Sequence, residues 1–181
     1  MYRFAPWLSV AALLALTVLG PAPTFAAEAE ATAASTRAHL AATILRSHRI
    51  TLATSHVSGV RDNATARDNI VDTAHGRRAH RSSYGTAPGG TVSLSTPMLR
   101  GMLALRKSFT FRVSEIAGGS HTAGSLHYQG RAFDVDLLDG QAVSAANPHV
   151  RTFEARCRAL GATEVLGPGD PGHATHLHCA W

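Results

Sequence analysis

The chain has 181 residues and a formal net charge of +5, carried almost entirely by arginine, since Lys107 is the only lysine. One domain is the default for that length. The positive balance suits an anionic partner such as a bacterial cell wall, although an arginine and alanine bias of the genome would produce it as well. The basic residues are scattered apart from His75-Gly76-Arg77-Arg78-Ala79-His80-Arg81, and no nucleic-acid-binding motif accompanies them, which argues against nucleic acid as a partner.

The N-terminus reads as a secretory leader. Arg3 supplies the positive region, and Leu8 to Leu19 is an apolar run broken by Pro21 and Pro23. Thr24-Phe25-Ala26 then offers small residues where a signal peptidase reads. Cleavage is expected near Ala26 or Ala27. The run is shorter than the ~20 residues that span a bilayer, so no membrane attachment is expected after cleavage. Removing 26 of 181 residues leaves about 155, enough to bury one core. Secretion, with residence in the cell wall, opens an oxidising compartment, where Cys157 and Cys179 are expected to pair; two buried free thiols are the alternative.

The spacing of Leu40, Ile44 and Leu45 predicts a helix over about Ser35–Arg46. Ile50 to Val60 reads as loop or short strand, and Asn63 to Ala74 as a helix closed by Gly76. Arg77 to Gly90 is polar, carries Pro88 and a Gly pair, and reads as loop. A short strand over Thr91–Leu94 precedes a helix capped by Ser95 or Thr96, with Pro97 in its first turn. Phe109 to Ile116 alternates as a half-buried strand does, and Arg131 to Leu138 is a second strand. A helix over Pro148–Leu160, a short strand over Thr163–Leu166, a turn-rich loop to Gly172 and a last strand over Ala174–Trp181 complete the chain.

Side chains alternate across a strand. Asp134 and Asp136 therefore share one face, and Phe133 and Val135 the other. In the last strand His176 and His178 share a face, while Leu177 and Cys179 point toward the helix that carries Cys157. His127 lies seven positions before Asp134, and with the His176/His178 segment the chain can supply the two nitrogen donors and one oxygen donor that a catalytic zinc takes from protein while leaving its fourth position to water. His173 and Asp170 lie in the loop just before.

Ser125-Leu126-His127-Tyr128-Gln129-Gly130-Arg131-Ala132-Phe133-Asp134 fits the Ser-x-His-x-x-Gly-x-Ala-x-Asp signature of the zinc D-Ala-D-Ala peptidases. The same stretch resembles the Hedgehog signalling domain, which shares their fold. His176-Leu177-His178-Cys179 resembles the closing His-x-His-Cys of Hedgehog and the His-x-His of the peptidases. The resemblance covers about Thr96 to Trp181 and leaves Ala27–Gly90 outside it. It implies zinc ligands His127, Asp134 and His178, with His176 beside the metal, donating to the oxyanion or moving protons. A water activated by zinc would attack a peptide carbonyl, and a base must pass its proton to the leaving amine.

Some relatives place a glutamate base six residues before the last ligand, where this chain has Gly172. His173, one residue on, is similar to a histidine at that spacing in related murein endopeptidases, and Asp170 is the other candidate. Many of these peptidases also carry an arginine before the first ligand; Ser114-Glu115-Ile116-Ala117-Gly118-Gly119 lacks it, and Arg112 is expected to point along the preceding strand. Asp136 reads as a structural carboxylate, His121 as pocket wall or catalyst, Tyr128 as packing beside the ligand loop, and His75 and His80 as solvated.

These readings give a leader over 1–26, a helical segment over 27–90 and a zinc domain over 91–181. The expected fold is α+β, the Hedgehog/DD-peptidase fold, with a small, mostly antiparallel sheet, helices on one face and zinc on the other. The expected function is that of a secreted zinc metallopeptidase acting on peptidoglycan stem peptides or cross-bridges, as a D-Ala-D-Ala carboxypeptidase or murein endopeptidase. The alternative is a non-catalytic zinc module that binds cell wall or a protein partner.

Overall fold

A computed structural model describes residues 24–181, so all but the last three positions of the expected leader lie outside the described residues. The first helix, α1 (Phe25–Leu45), is Ala-rich and free of Gly and Pro. It starts ten residues before the predicted helix because apolar spacing marks only the part that packs: Ala41 and Ile44 are buried, whereas residues 24–32 are exposed. After β1 (Ile50–Leu52) comes α2 (Ala66–Ala74). Thr65 caps α2, its Oγ1 accepting the Asp68 N–H at 3.2 Å, and Gly76 ends it at φ +74°, a conformation a side chain disfavours. The stretch expected to be loop contains β2 (Ala79–His80), which forms a two-stranded antiparallel ribbon with β3 (Thr91–Val92). Ser95 caps α3 (Thr96–Leu105), its Oγ accepting the Met98 N–H at 3.4 Å, with Pro97 in the first turn.

The rest of the chain gives β4 (Phe111–Glu115), β5 (Ala132–Leu138), β6 (Gln141–Ala142), α4 (Val150–Ala159), β7 (Glu164–Leu166) and β8 (Leu177–Ala180). The main sheet runs β1-β4-β5-β8-β7, with β6 also on β5. All its pairings are antiparallel except β1 with β4. The unpredicted β6 returns from β5 through Asp139 and Gly140, whose φ of +48° and +80° suit a two-residue hairpin turn.

Helices pack on one face of this sheet. Phe133 and Val135 of β5 and Leu177 and Cys179 of β8 enter the core there, as alternation predicts. Phe111 stacks on Phe133 at 6.3 Å and meets Phe153 of α4 edge-on at 5.5 Å. The Cys157–Cys179 disulfide ties α4 to β8. The segment before Gly90 shares this core. Its Ala41, Ile44, Ile50 and Ile70 pack in one cluster with Met98 and Phe111, and β1 is a strand of the main sheet. Among the described residues no helix is long and apolar enough to cross a membrane.

Candidate metal centre

The face opposite the helices collects the polar side chains. Asp134 of β5 and His178 of β8 are direct cross-strand partners, so their side chains emerge together. His127 arrives from the turn before β5. Gly130 closes that turn, its N–H donating to the His127 carbonyl at 2.8 Å with φ +67°; a Cβ there would sit 2.6 Å from the Ser93 oxygen. The turn folds His127 back over β5, where the Ile116 carbonyl accepts from its Nδ1 at 2.6 Å.

That contact fixes a tautomer. A carbonyl only accepts, so Nδ1 carries a proton and neutral His127 presents a lone pair on Nε2. His127 Nε2 lies 3.1 Å from Asp134 Oδ1 and 3.0 Å from His178 Nδ1, and those two atoms are 2.9 Å apart. All three residues are buried. The triangle is close to the ~3.3 Å separation of donors bonded at ~2.0 Å to one tetrahedral metal. Burial alone would push the His127 pKa down, but the Asp134 charge outweighs it and the value is raised. Burial would likewise raise Asp134; the charge and hydrogen bond of His127 hold it well below the usual carboxylate range. A positive charge at this point is what Asp134 needs, and a metal ion meets that need with both imidazoles neutral.

His121, His127 and Asp134 form a cluster whose donor atoms all lie within 4.8 Å of one another, and it can hold a metal ion. The His121 ring stacks flat on His127 at 3.9 Å and 8°, and its Nε2 meets the Gly118 carbonyl at 3.0 Å. Burial, then the neighbouring His127, brings its pKa to about 4. Lone pairs lie in their ring planes, and these two planes are nearly parallel and do not meet at one ion, so the stack lets His121 join the wall of the centre more readily than share one ion with His127.

His176 and His173 stand beside this cluster, their rings 4.8 Å apart, and both line the cavity over His127 and His178. Burial lowers the His176 pKa. Asp170 is not brought to the centre. Its Oδ2 accepts the Gly167 N–H at 2.9 Å inside the loop, and it is not among the residues lining that cavity. Tyr128 packs beside the ligand turn, its hydroxyl accepting the His121 N–H at 2.7 Å. His80 is tied to Asp72 at 2.8 Å rather than freely solvated.

A second cavity of about 550 Å³ adjoins the centre and shares Asp134, His121 and His176 with it. Arg112 does not simply follow its strand. Its Nε and Nη2 donate to Asp136 at 2.8 and 2.6 Å, and this bidentate pair lies in the cavity wall with Leu137 and Val143.

Sequence reasoning missed Glu115 and the group behind it. Alternation would put Glu115 on the core face with Phe111 and Val113. The β4–β5 register shifts on both sides of Val113, so Glu115 instead pairs with Asp134 and lines the cavity. His56 Nδ1 donates to both Glu115 oxygens at 2.8 and 2.9 Å, and His56 Nε2 to Asp62 Oδ1 at 2.7 Å. The Ser82 hydroxyl donates to Asp62 Oδ2 at 2.7 Å. Burial opposes the charge on His56, but hydrogen bonds to Asp62 and Glu115 prevail and raise its pKa. Burial dominates at Glu115 and raises its pKa too. The segment before Gly90 thus supplies a buried buttress for the cavity wall.

Comparison with family models, with curated proteins and with solved structures found no match to the chain.

Proposed function

We propose that the protein is a secreted zinc metallopeptidase of the D-Ala-D-Ala carboxypeptidase or murein endopeptidase type, acting on peptidoglycan stem peptides or cross-bridges with the fold of that superfamily. The observation that carries this reading is the buried triangle of His127 Nε2, His178 Nδ1 and Asp134 Oδ1, with edges of 2.9–3.1 Å. Two nitrogens and one oxygen, opening on a cavity, are the donor set of a catalytic rather than a structural zinc site. When bound, zinc supplies Lewis acidity toward a peptide carbonyl and lowers the pKa of water at its open position.

The chain's own residues supply the rest. His176 lines both cavities and is placed to donate to a developing oxyanion or to move protons. His173, beside it, is the proposed partner in passing a proton to the leaving amine. Arg112, oriented by Asp136, presents a cation to the polar backbone or terminal carboxylate of a peptide, while Leu137 and Val143 accept apolar side-chain surface. The leader expected at the N-terminus would export the protein, which supports peptidoglycan, a peptide with D-residues, as the substrate.

The test is incubation of zinc-loaded protein with purified muropeptides, followed by mass spectrometry. Chelator-sensitive release of D-Ala or cleavage of cross-links supports the reading. Gly172 at the position of the family's glutamate base favours one rival, a zinc module without catalysis. Full zinc occupancy, no cleavage and co-sedimentation with intact wall would establish that rival instead.

A further inference from the structure

His178 has an orphaned atom. Its Nε2 is buried and makes no hydrogen bond. Yet Nδ1 is the nitrogen that faces His127 and Asp134, so a neutral His178 that offers its lone pair there must carry its proton on Nε2. A buried N–H without an acceptor is costly to the fold. His127 has the matching problem solved: its outer nitrogen, Nδ1, is taken by the Ile116 carbonyl.

The group beside His178 Nε2 is a carboxylate. Glu164 Oε1 lies 3.0 Å away, off the line of the N–H, and its side chain is 49% exposed. Its position is set by the sheet. Leu166 of β7 pairs with His178, and Glu164 pairs with Ala180, so Glu164 is the diagonal neighbour of His178 on the same face. It also lines the cavity over the centre together with His178. A small rotation of a half-exposed side chain brings Oε1 onto the N–H axis at little cost.

We infer that Glu164 is a positioning residue of the metal centre, the outer carboxylate of a carboxylate–histidine–metal relay through His178. Accepting the Nε2 proton fixes the tautomer that leaves Nδ1 free and holds the ring with that nitrogen facing the other two donors. The two histidines then bind through opposite nitrogens, His127 held by a main-chain carbonyl and His178 by a side chain. This inference rests on the metal centre proposed above but not on peptidase activity.

The test is a zinc-affinity titration against a competing chelator, using the whole mature chain. Wild type, Glu164→Ala, Glu164→Gln and His178→Ala are compared, with the thermal midpoint of each metal-free protein as a check on folding. Glu164→Ala should weaken zinc binding about 10–100-fold, the usual effect of losing such an outer partner. Glu164→Gln, which keeps an acceptor oxygen without the charge, should fall between it and wild type. In zinc-loaded wild type the His178 Nε2–H proton should give a slowly exchanging NMR signal that is lost in Glu164→Ala. Zinc affinity of Glu164→Ala within twofold of wild type would overturn the inference while leaving the centre standing, provided His178→Ala has lost the metal. If wild type itself takes up no zinc, the centre and the relay fall together, whereas zinc bound without cleavage of muropeptides would remove only the peptidase reading.

Discussion

His127 Nε2 stands 3.0 Å from His178 Nδ1, although 51 positions separate the two residues in the chain. Two uncharged imidazoles do not bring lone pairs together across that distance without something positive between them. A proton held at this point, on His127 Nε2 or on His178 Nδ1, is one answer; a metal ion shared by all three is the other. Binding metal therefore displaces protons, and the apo and loaded forms differ in charge at one buried point.

Zinc should stabilise the fold as well as occupy the site. An ion that binds only the folded chain adds about 2.7 kcal/mol at a free concentration 100 times its Kd. Thermal denaturation should show the midpoint rising with added zinc and falling with chelator. In His127→Ala and His178→Ala the midpoint should ignore both, while His176→Ala, beside rather than in the triangle, should respond as wild type does.

The His56 buttress predicts a pH dependence of stability. Folded His56 titrates above its ordinary 6.5 because hydrogen bonds to Asp62 and Glu115 outweigh burial. Its stabilising contribution is thus complete below about pH 6.5 and is lost as pH rises through the folded value. Removing one member of a buried pair costs about 3–5 kcal/mol. His56→Gln should lower the urea midpoint most at pH 6 and progressively less toward pH 9. A gap that widened with pH would contradict the assigned charge.

Gly118 should tolerate no side chain. A Cβ at this position would collide with the Ala64 carbonyl oxygen and lie 2.7 Å from His56 Cε1. Overpacking of this kind costs about 1–3 kcal/mol. Gly118→Ala should be destabilised by that amount in denaturant titrations, and His56→Gln combined with it should cost less than the sum, because part of the Gly118→Ala cost is its contact with His56.

The disulfide should be worth measuring separately from the metal. Cys157 and Cys179 are 22 positions apart, a loop for which the chain-entropy model gives about 3 kcal/mol. Cys157→Ser should lose roughly that much stability. Non-reduced wild type should yield no alkylated cysteine in a peptide map.

The grouping of His127, Asp134 and His178 was legible because Asp134 and His178 sit at strand positions and His127 in the short segment that leads into β5. Phe133 and Val135 against Asp134 and Asp136, and Leu177 and Cys179 against His178, follow directly from alternation. Glu115 was not legible, because an irregularity in pairing reverses its face and nothing in Ser114-Glu115-Ile116 announces it. His56 escaped because its partner lies 59 positions away, and separation of that kind leaves no local pattern. The hairpin that makes β6 had a signal, Asp139-Gly140, in a turn-forming dipeptide. Asp170 looked available in sequence, but the loop uses its carboxylate to hold the Gly167 N–H.

The ligand set is the claim on which the rest depends, and X-ray absorption on zinc-loaded protein tests it most directly, with metal content measured in parallel on His121→Ala, His127→Ala, Asp134→Ala and His178→Ala. The account predicts about one zinc per chain, a shell of two imidazoles and two oxygens at ~2.0 Å, metal kept by His121→Ala and lost by the other three variants. Zinc retained by His178→Ala but lost from His121→Ala would contradict it and move the site to His121, His127 and Asp134.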